Sequence, residues 1–389
     1  MFSITFPGRV RAQIFYAILG LALPLSAQSA AAPPGTDVIV FVNGDQLTGK
    51  FLRETDGSVT FHSDIAGDVT VTWDKVKSIH TTQPFAVIQQ GQHVSRKTPD
   101  ADVPQGAIKV EEGQVTVTPT GGTSKDIPVK NAEYVIDQPT YVKELRSSPG
   151  FLSGWNGALT AGATLVQATQ NSRGFTGSAA LVRAIPSVNW LDPRNRTLLG
   201  FTGAYGSVTQ PGTTGSKTNI IHAEAEHDWY FSPRFYFLVE AAFDHNYSQG
   251  LNLQQSYGAG VGDTILKRPK QQLDLKFDIH YEKQQYFVTP NVVPPPPLTP
   301  SKDLIGADFG ETYLLKLPHG LVFNQGAVVT PSFNQSNAYS AVGTAALLFP
   351  VYKRLGFSLA TLDDFLNDPA AGSRKNSFQF TAGVTYSLK

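Results

Sequence analysis

The stretch LDLKFDIHYE, residues 273–282, alternates strictly between two kinds of side chain. One face carries the apolar and aromatic residues Leu273, Leu275, Phe277, Ile279 and Tyr281. The other face carries the charged and polar residues Asp274, Lys276, Asp278, His280 and Glu282. Because successive side chains of a β-strand point to opposite sides of the sheet, this period of two predicts a strand with one apolar and one charged face.

The same alternation recurs through residues 152–389, for example in Ile220–Phe231, Phe235–His245 and Phe378–Leu388. The segments are near or above the 9–11 residues, roughly, that a tilted membrane-spanning strand requires. We therefore predict an all-β protein whose residues 152–389 form an antiparallel transmembrane β-barrel of about twelve strands, with ten or fourteen as alternatives. The predicted strands start near Trp155, Gly177, Thr197, Asn219, Phe235, Gln255, Gln272, Leu304, Leu321, Ala338, Leu355 and Ser377.

The predicted connections alternate in length. Those after the even-numbered strands are short, beginning with LDPRN and FSPR, and those after the odd-numbered strands are longer and polar, beginning with QNSRGF and TQPGTTGSKT. Short periplasmic turns alternating with longer extracellular loops are typical of outer-membrane barrels. An even number of strands would put both ends of the barrel in the periplasm.

The chain begins with the pattern of a secretory signal peptide, which we assign to residues 1–27. Arg9 and Arg11 precede the apolar run Ala12–Leu25, and small residues follow it. A run of 14 residues is too short to span a bilayer as a helix. The chain contains no Cys, which excludes a lipoprotein anchor, a disulfide scaffold and a cysteine nucleophile.

Residues 28–137 predict a small periplasmic β module. Asn43-Gly44 between two apolar runs is a strong hairpin signal. About five short strands are predicted up to His80, and a second, less regular set of short strands is predicted after them. Two tandem SH3-like units and one irregular β domain are both compatible with this pattern. Residues 138–151 are predicted to be a linker.

At this point the sequence resembles the salt-induced outer-membrane proteins, a family of unknown function. The resemblance is carried by Val42–Lys50, by Val69–Trp73, and by Ser256–Gly262 with the strand that follows it. It covers most of the chain after the signal peptide. It implies an outer-membrane barrel and no established reaction.

We predict that the charged face of the strands points into the barrel. The acids expected there are Glu224, Glu226, Asp228, Glu240, Asp244, Asp274, Asp278, Glu282 and Asp308. The bases expected there are Arg183, Lys276 and Lys316, with His222 and His280 nearby. Because lumen charge tunes selectivity, this excess of acids would make an open lumen a narrow cation-favouring pore. A closed barrel, whose interior charges pair with each other and with water in a narrow lumen filled by side chains, is the alternative.

Basic residues recur in the predicted short turns, where they could meet the phosphates of the inner leaflet or be ordinary polar turn residues. These are Arg194, Arg196, Arg234, Lys267, Arg268, Lys270, Lys353 and Arg354.

No catalytic residue, cofactor or metal site is predicted, because no nucleophile–base pair has workable geometry. Zero net charge gives no signal for nucleic acid. The expected partners are outer-membrane lipids and the outer-membrane assembly machinery, and a contact of the module with peptidoglycan or a periplasmic protein is open. The first functional hypothesis is a non-enzymatic outer-membrane barrel, a narrow pore in envelope or salt-stress adaptation. The alternative is a barrel-anchored envelope interaction protein, and a membrane hydrolase is least favoured.

Overall fold

The computed structural model describes residues 36–147, 150–167, 171–209, 215–268, 270–287, 301–369 and 373–388. The predicted signal peptide, residues 1–27, lies outside the described residues. The described chain is all-β, with a small β module followed by a closed twelve-stranded barrel, which confirms the predicted fold class.

The module is one sheet of nine strands. Eight of them follow the order β4-β3-β2-β1-β5-β6-β7-β8, and β9 pairs with β2 and β5. The strands are β1 Asp37–Phe41, β2 Gln46–Thr55, β3 Ser58–Ser63, β4 Gly67–Thr72, β5 Val76–Gln89, β6 Gln105–Glu111, β7 Gln114–Thr118, β8 Lys125–Pro128 and β9 Ala132–Asp137. Single 3-10 turns occur at Trp73–Lys75, Asp100–Asp102 and Val129–Asn131.

The sheet of the module encloses one main apolar core. Ile39, Phe61 and Ile79 from its first half and Val115 and Val117 from its second half are all buried in that core. In the described residues, both halves of the module thus lie in one sheet and contribute to the same main core. The Asn43-Gly44 turn between β1 and β2 is present, and Gly44 adopts a φ of +91°, which glycine tolerates without strain.

The residues predicted as a linker begin with helix rather than with an open chain. A short helix α1, Gln138–Tyr141, continues into a π-helical turn, Val142–Arg146. The carboxylate of Asp137 caps α1 by accepting a hydrogen bond from the Thr140 amide at 3.0 Å. Within the described residues, no helix is long and apolar enough to cross a bilayer.

Twelve antiparallel strands follow and close into a barrel in chain order, β10 to β21. They are β10 Trp155–Gln167, β11 Asn171–Ile185, β12 Asn195–Thr209, β13 Ser216–Tyr230, β14 Phe235–Asn246, β15 Leu251–Arg268, β16 Gln271–Tyr286, β17 Ser301–Lys316, β18 Val322–Thr330, β19 Ser340–Tyr352, β20 Leu355–Leu366 and β21 Asn376–Leu388. Further 3-10 turns lie at Tyr247–Gln249 and Pro318–Gly320. The seam between β10 and β21 pairs only Gly157–Ala161 with Val384–Leu388.

Several of the predicted connections differ from the structure, including the two that flank β11. The segment QNSRGF was expected to be a loop, but β11 already begins at Asn171, because Phe175 continues the alternation onto the outer surface. The turn LDPRN was expected to be short, but β11 ends at Ile185 and the connection runs from Pro186 to Arg194. This longer turn proves to contact the module.

Candidate functional site

The barrel strands place their charged faces inside and their apolar faces outside. On β16, Phe277, Ile279 and Tyr281 are 39%, 55% and 43% exposed on the outer surface, whereas Asp278 and His280 between them are 0% and 3% exposed. The pairing register carries this division to the neighbouring strands, since residues paired across an antiparallel sheet share a face. Charged residues on the inner face of β13 to β17 include His222, Glu224, Glu226, Asp228, Glu240, Asp244, Asp274, Lys276, Asp278, His280, Glu282 and Asp308. The register also places Lys302 and the predicted interior base Lys316 on this face of β17, near its two ends.

A stripe of glycines on β15 makes room for large side chains in the interior. Gly258, Gly260 and Gly262 all face inward, opposite inward residues of β14 and β16. A Cβ atom on Gly262 would lie 2.1 Å from the ring of Tyr236, which is buried. The alternate glycines therefore replace side chains that would collide with the packed interior.

The first interior network lies near the short-turn end and is centred on Arg196. Its guanidinium bonds Asp228 at 2.6 Å through Nε and Asp274 at 2.6 Å through Nη1. It also stacks over the ring of Tyr236 at 5.1 Å. Strands β12 and β16 are four strands apart in the barrel, so this network crosses a wide arc of the interior.

The prediction for Arg196 was wrong in position, and so was that for Arg183. Arg196 was expected in a turn facing lipid phosphates, but it lies within β12 and takes the role of an interior base. Arg183 was expected inside, but the register pairs it with Thr197 and Trp155 on the outer face, and it donates hydrogen bonds to the carbonyl oxygens of Ser153 and Gly150. Arg196 lies in β12 because that strand already begins at Asn195. Arg183 shares the outward face of β11 with Leu181 and Phe175.

Two further groups of paired charges lie farther from the short-turn end of the barrel. The ammonium of Lys276 lies 2.6 Å from Glu226 and 3.1 Å from Glu240. The imidazole of His222 lies 2.6 Å from Asp244 and 3.4 Å from Glu224. In both groups one basic side chain stands between two carboxylates, so the excess of acids is partly compensated by geometry.

A fourth group is less well compensated. Nδ1 of His280 lies 3.5 Å from an oxygen of Asp278 and 3.5 Å from an oxygen of Asp308, and neither contact has hydrogen-bond geometry. Nε2 of the same ring lies 3.9 Å from Glu282. The other oxygen of Asp308 accepts a hydrogen bond from the Thr330 hydroxyl.

The loop end of the barrel is crossed by direct contacts between opposite walls. The amide of Asn246 on β14 donates to the carboxylate of Asp364 on β20 at 3.1 Å. Gln249, which is 1% exposed, donates to the Asp364 carbonyl oxygen at 3.2 Å. In a ring of twelve strands, β14 and β20 are six strands apart, so these contacts span the full width of the lumen.

An apolar cluster of Leu251, Tyr286 and Leu366 lies at the same end of the barrel. The Tyr286 hydroxyl donates to Gln284 at 2.5 Å, and Gln284 in turn donates to Glu282 at 2.5 Å. Together with Asn246 and Gln249, this cluster forms what we term the loop-end layer. Sequence reasoning missed it, because it depends on side chains from strands distant in sequence.

The basic residues predicted for the short turns have different surroundings. Arg234 pairs with Asp263 at 3.0 Å, and Arg354 donates to the Tyr386 hydroxyl at 3.3 Å. Arg194 instead donates to the Glu144 carbonyl oxygen at 2.7 Å and therefore belongs to the contact with the module. The others remain at the short-turn end, at the end of a strand or in the turns themselves: Lys267, Arg268, Lys270 and Lys353.

The module docks onto the barrel through the turn between β11 and β12. The buried carboxylate of Glu144 accepts hydrogen bonds from the Ser187 amide at 2.6 Å and from its hydroxyl at 2.8 Å. Burial alone would raise the pKa of Glu144, but these hydrogen bonds and the nearby Lys143 outweigh it and hold the pKa below its usual range.

An apolar cluster extends the same contact. Leu191 of the barrel turn is buried with Tyr141 and Leu145 of the helical connection and with Ile136 of the module. The guanidinium of Arg53 stacks over the ring of Trp190 at 5.1 Å. We call this whole contact, polar and apolar, the docking interface.

A closed antiparallel barrel with an apolar exterior and a charged interior is the arrangement of membrane β-barrel proteins. Within that class the chain belongs to the family described as "Protein of unknown function, DUF481", whose model matches residues 159–388. The match includes eleven complete strands and most of β10. No curated protein matches the chain.

Several solved structures are similar to the barrel at low identity. The translocator domain of the autotransporter NalP from Neisseria meningitidis is 11% identical, with a TM-score of 0.34, and the match covers 60% of this chain and 87% of that one. An outer membrane channel from Pseudomonas putida F1 is 11% identical, with a TM-score of 0.32, and the match covers 62% of this chain and 100% of that one. For the NanC porin the identity is 7%, the TM-score 0.32 and the coverage 60% and 99%.

Proposed function

We propose that this protein is an outer-membrane anchor, in which a sealed barrel holds the N-terminal β module at the periplasmic face of the membrane. The observation that carries this proposal is the docking interface, where the buried Glu144 bonds Ser187 and Leu191 enters an apolar cluster of the module. A module that was merely connected to the barrel by a linker would not need this contact. A module that must be held in a fixed orientation relative to the membrane would need it.

Membrane insertion is supported by the outer surface of the barrel. Exposed aromatic and aliphatic side chains, such as Phe175, Phe277, Phe309 and Phe357, recur around the ring of strands. A continuous apolar surface of this extent is far larger than a soluble protein leaves exposed. The periplasmic orientation is supported by the short turns and by the start of β10 and the end of β21, all of which lie at the end of the barrel that carries the module.

The narrow cation-favouring pore is the rival proposal. The acidic inner wall of β13 to β17 supports it, because such a wall would attract cations. The loop-end layer argues against an open pore, because Asn246 and Gln249 form hydrogen bonds with Asp364 on the opposite wall of the barrel. Since the contacts across the lumen would have to break before an ion could pass, we favour the sealed anchor.

The proposal assigns outer-membrane lipids to the apolar exterior. Basic residues that remain at the short-turn end, including Lys270, Lys353 and Arg354, are suited to the phosphates of the inner leaflet. Insertion of such a barrel would also require the outer-membrane assembly machinery. The partner of the module is an envelope component on the periplasmic side, either peptidoglycan or a protein.

The orientation can be tested with single cysteines, since the natural chain has none. Ile65 in the module is 99% exposed, and Ser336 is exposed in the connection between β18 and β19 at the loop end. In cells carrying Ile65→Cys or Ser336→Cys, a membrane-impermeant maleimide should label Ser336→Cys directly. It should label Ile65→Cys only after the outer membrane is permeabilised. Labelling of Ile65→Cys in intact cells would overturn the periplasmic placement.

The docking interface can be tested by proteolysis of the full refolded chain. Glu144→Ala removes two hydrogen bonds to a carboxylate, each of the kind that contributes about 1.5–3 kcal/mol. We expect chymotrypsin to cut after Tyr141 more than about tenfold faster in this variant. Lys130→Ala is the control, because the Lys130 side chain is exposed on the module. Equal cleavage rates in wild type and Glu144→Ala would show that the interface does not hold the module.

A further inference from the structure

The group around His280 differs from the other charged groups of the barrel in that its buried atoms lack partners. Asp278 is 0% exposed, and both of its carboxylate oxygens are without a hydrogen-bond partner among the described residues. Nδ1 of His280, itself 3% exposed, is unpartnered as well. A buried carboxylate left in this state is costly, because a buried charge needs a partner of opposite charge or a metal ion.

Among the described residues, no Lys or Arg side chain forms an ion pair with Asp278 or Asp308. The inward cation of the same strand, Lys276, already lies 2.6 Å from Glu226 and 3.1 Å from Glu240. A proton on Nδ1 of His280 could serve only one acceptor, whereas Nδ1 is equidistant, at 3.5 Å, from oxygens of Asp278 and Asp308. The arrangement of one nitrogen between two carboxylate oxygens is thus unexplained by hydrogen bonding.

The spacing of these atoms suits coordination of one ion. One ligand atom from each of Asp278, His280 and Asp308 lies within 4.8 Å of the other two. Ligands at about 2.0–2.2 Å from a divalent metal ion are separated from one another by roughly 3–3.5 Å in tetrahedral or octahedral geometry. The two separations of 3.5 Å therefore leave room for an ion in the centre.

The neighbouring strands are built to leave this space open. The register places His280 between Gly258 on β15 and Gly306 on β17. A Cβ atom on Gly258 would lie 2.7 Å from Asp278, and one on Gly306 would lie 3.0 Å from Nε2 of His280. Glycine at both positions thus keeps the ligand side chains free to converge.

We propose that Asp278, His280 and Asp308 form a buried site for a divalent transition-metal ion of the Zn²⁺ or Mn²⁺ class. One imidazole nitrogen with two carboxylates favours such an ion over Mg²⁺ and Ca²⁺, which prefer oxygen ligands alone. The ion compensates the two aspartates and ties β16 to β17 inside the barrel. The Thr330 hydroxyl, which donates to the second oxygen of Asp308, holds that carboxylate in position from β18.

The test uses the untagged chain without its signal peptide, refolded in detergent with Zn²⁺ present so that burial does not hinder entry. After dialysis, the amount of zinc bound per chain is measured by inductively coupled plasma mass spectrometry. The affinity of the protein for zinc is measured by competition with a chromophoric chelator. Heat-modifiable gel mobility confirms that each variant is folded. We expect one zinc ion per chain, with no displacement by excess Mg²⁺ or Ca²⁺.

Variants separate this site from surface binding. Asp278→Asn and Asp308→Asn should each weaken zinc binding by at least about tenfold. Loss of a residue that only supports a metal ligand already weakens metal binding by about tenfold or more, and these two residues are proposed to be ligands themselves. Asp244→Asn is the matched control, since Asp244 is also an inward acid beside a histidine, but bonds His222 directly at 2.6 Å. It should leave zinc binding unchanged.

Asp278→Asn should also remain folded without metal, because it removes a buried unpaired charge, so its loss of zinc cannot be ascribed to misfolding. Zinc should raise the temperature at which wild type loses its folded gel mobility, and should not do so in Asp278→Asn. Absence of zinc from the folded wild type, retention of zinc in both site variants, or equal loss in Asp244→Asn would overturn the proposal. None of these results bears on whether the barrel anchors the module.

Discussion

The module and the barrel are built from the same alternating strands, yet they are turned inside out relative to each other. In the module, Phe61 is 1% exposed within an apolar core. In the barrel, Phe277 is 39% exposed on the outer surface while Asp278 beside it is 0% exposed. The comparison shows that a period of two predicts which residues share a face, but the solvent around the sheet decides which face lies inside.

The two interiors are also stabilised by different interactions. The module buries aliphatic and aromatic side chains, which is favourable wherever they pack. The barrel buries Arg196, Lys276 and their carboxylate partners, for which desolvation offsets much of the attraction. The barrel interior should therefore depend on complete pairing far more than the module does.

The largest expected effect comes from breaking one of these pairs. Arg196→Ala would leave Asp228 and Asp274 buried without their counter-charge, which should destabilise the barrel by about 3–5 kcal/mol. Equilibrium unfolding of the refolded chain in denaturant measures this change. Arg354→Ala, in a turn, is the control and should have little effect. A loss below about 1 kcal/mol in Arg196→Ala would mean that the network does not brace the barrel.

The next effect sharpens the difference between the two outer surfaces. Phe277 and Ile65 are both exposed, but Phe277 should face lipid and Ile65 should face water. Phe277→Arg should therefore destabilise the inserted barrel by about 2–4 kcal/mol, whereas Ile65→Arg should be nearly neutral. Unfolding from lipid vesicles measures both. Equal tolerance of arginine at the two positions would remove the argument for a membrane-facing surface.

A smaller effect is expected from the glycine stripe. Gly262→Ala would place a methyl group against the Tyr236 ring, which should cost about 1–3 kcal/mol in an interior already filled. Gly343→Ala is the matched control, because nothing lies within 4 Å of the Cβ that would be added there. If the two variants unfold alike, the interior near Tyr236 is looser than its packing indicates.

The module should respond to pH through one buried acid. Burial raises the pKa of Glu54 from 4.5 to about 8, although the Gly57 amide donates to it at 3.0 Å. Because the folded module then holds a proton that the unfolded chain releases, its stability should fall as the pH rises from 4.5 to 8, by at most about 1.4 kcal/mol per pH unit.

Glu54→Gln should flatten this dependence and make the module more stable at pH 8. Tryptophan fluorescence during urea unfolding of the full chain, recorded at several pH values, measures it. Glu144→Gln is the useful comparison, because the pKa of Glu144 is lowered rather than raised and its contribution is lost as the pH falls. An identical pH dependence of stability in wild type and Glu54→Gln would show that Glu54 is not the source of this pH dependence.

Much of the barrel could be predicted from sequence, because strand alternation is a local property. About twelve barrel strands were predicted, and the described residues form twelve. The opposite exposure of Phe277 and Asp278 follows directly from their neighbouring positions in the chain. The boundary of β12 could not be predicted, because it depends on a turn that packs against the module. That error moved Arg196 from the interior to a turn.

The candidate sites depend on contacts between distant parts of the chain. Asn246 and Asp364 are 118 residues apart, and no local pattern pairs them. The proposed metal site was not predicted from the sequence for a related reason. Asp278 and His280 are two residues apart on one strand, a spacing that is common on the polar, water-facing side of barrel strands. Asp308 comes close to them only through the pairing of β16 with β17. The glycines that flank His280 are visible in the sequence, but their meaning requires the same register.

The central claim is that the barrel is a sealed anchor, and single-channel recording in planar bilayers tests it most directly. The chain without its signal peptide is refolded, its insertion is verified by co-flotation with vesicles, and the current is recorded in potassium chloride. The sealed anchor predicts no steady conductance from the wild type, and openings only when Asn246→Ala and Gln249→Ala remove the contacts across the lumen. A steady, cation-selective conductance from the wild type, reduced by Glu224→Gln and Glu226→Gln, would contradict the claim and establish the pore.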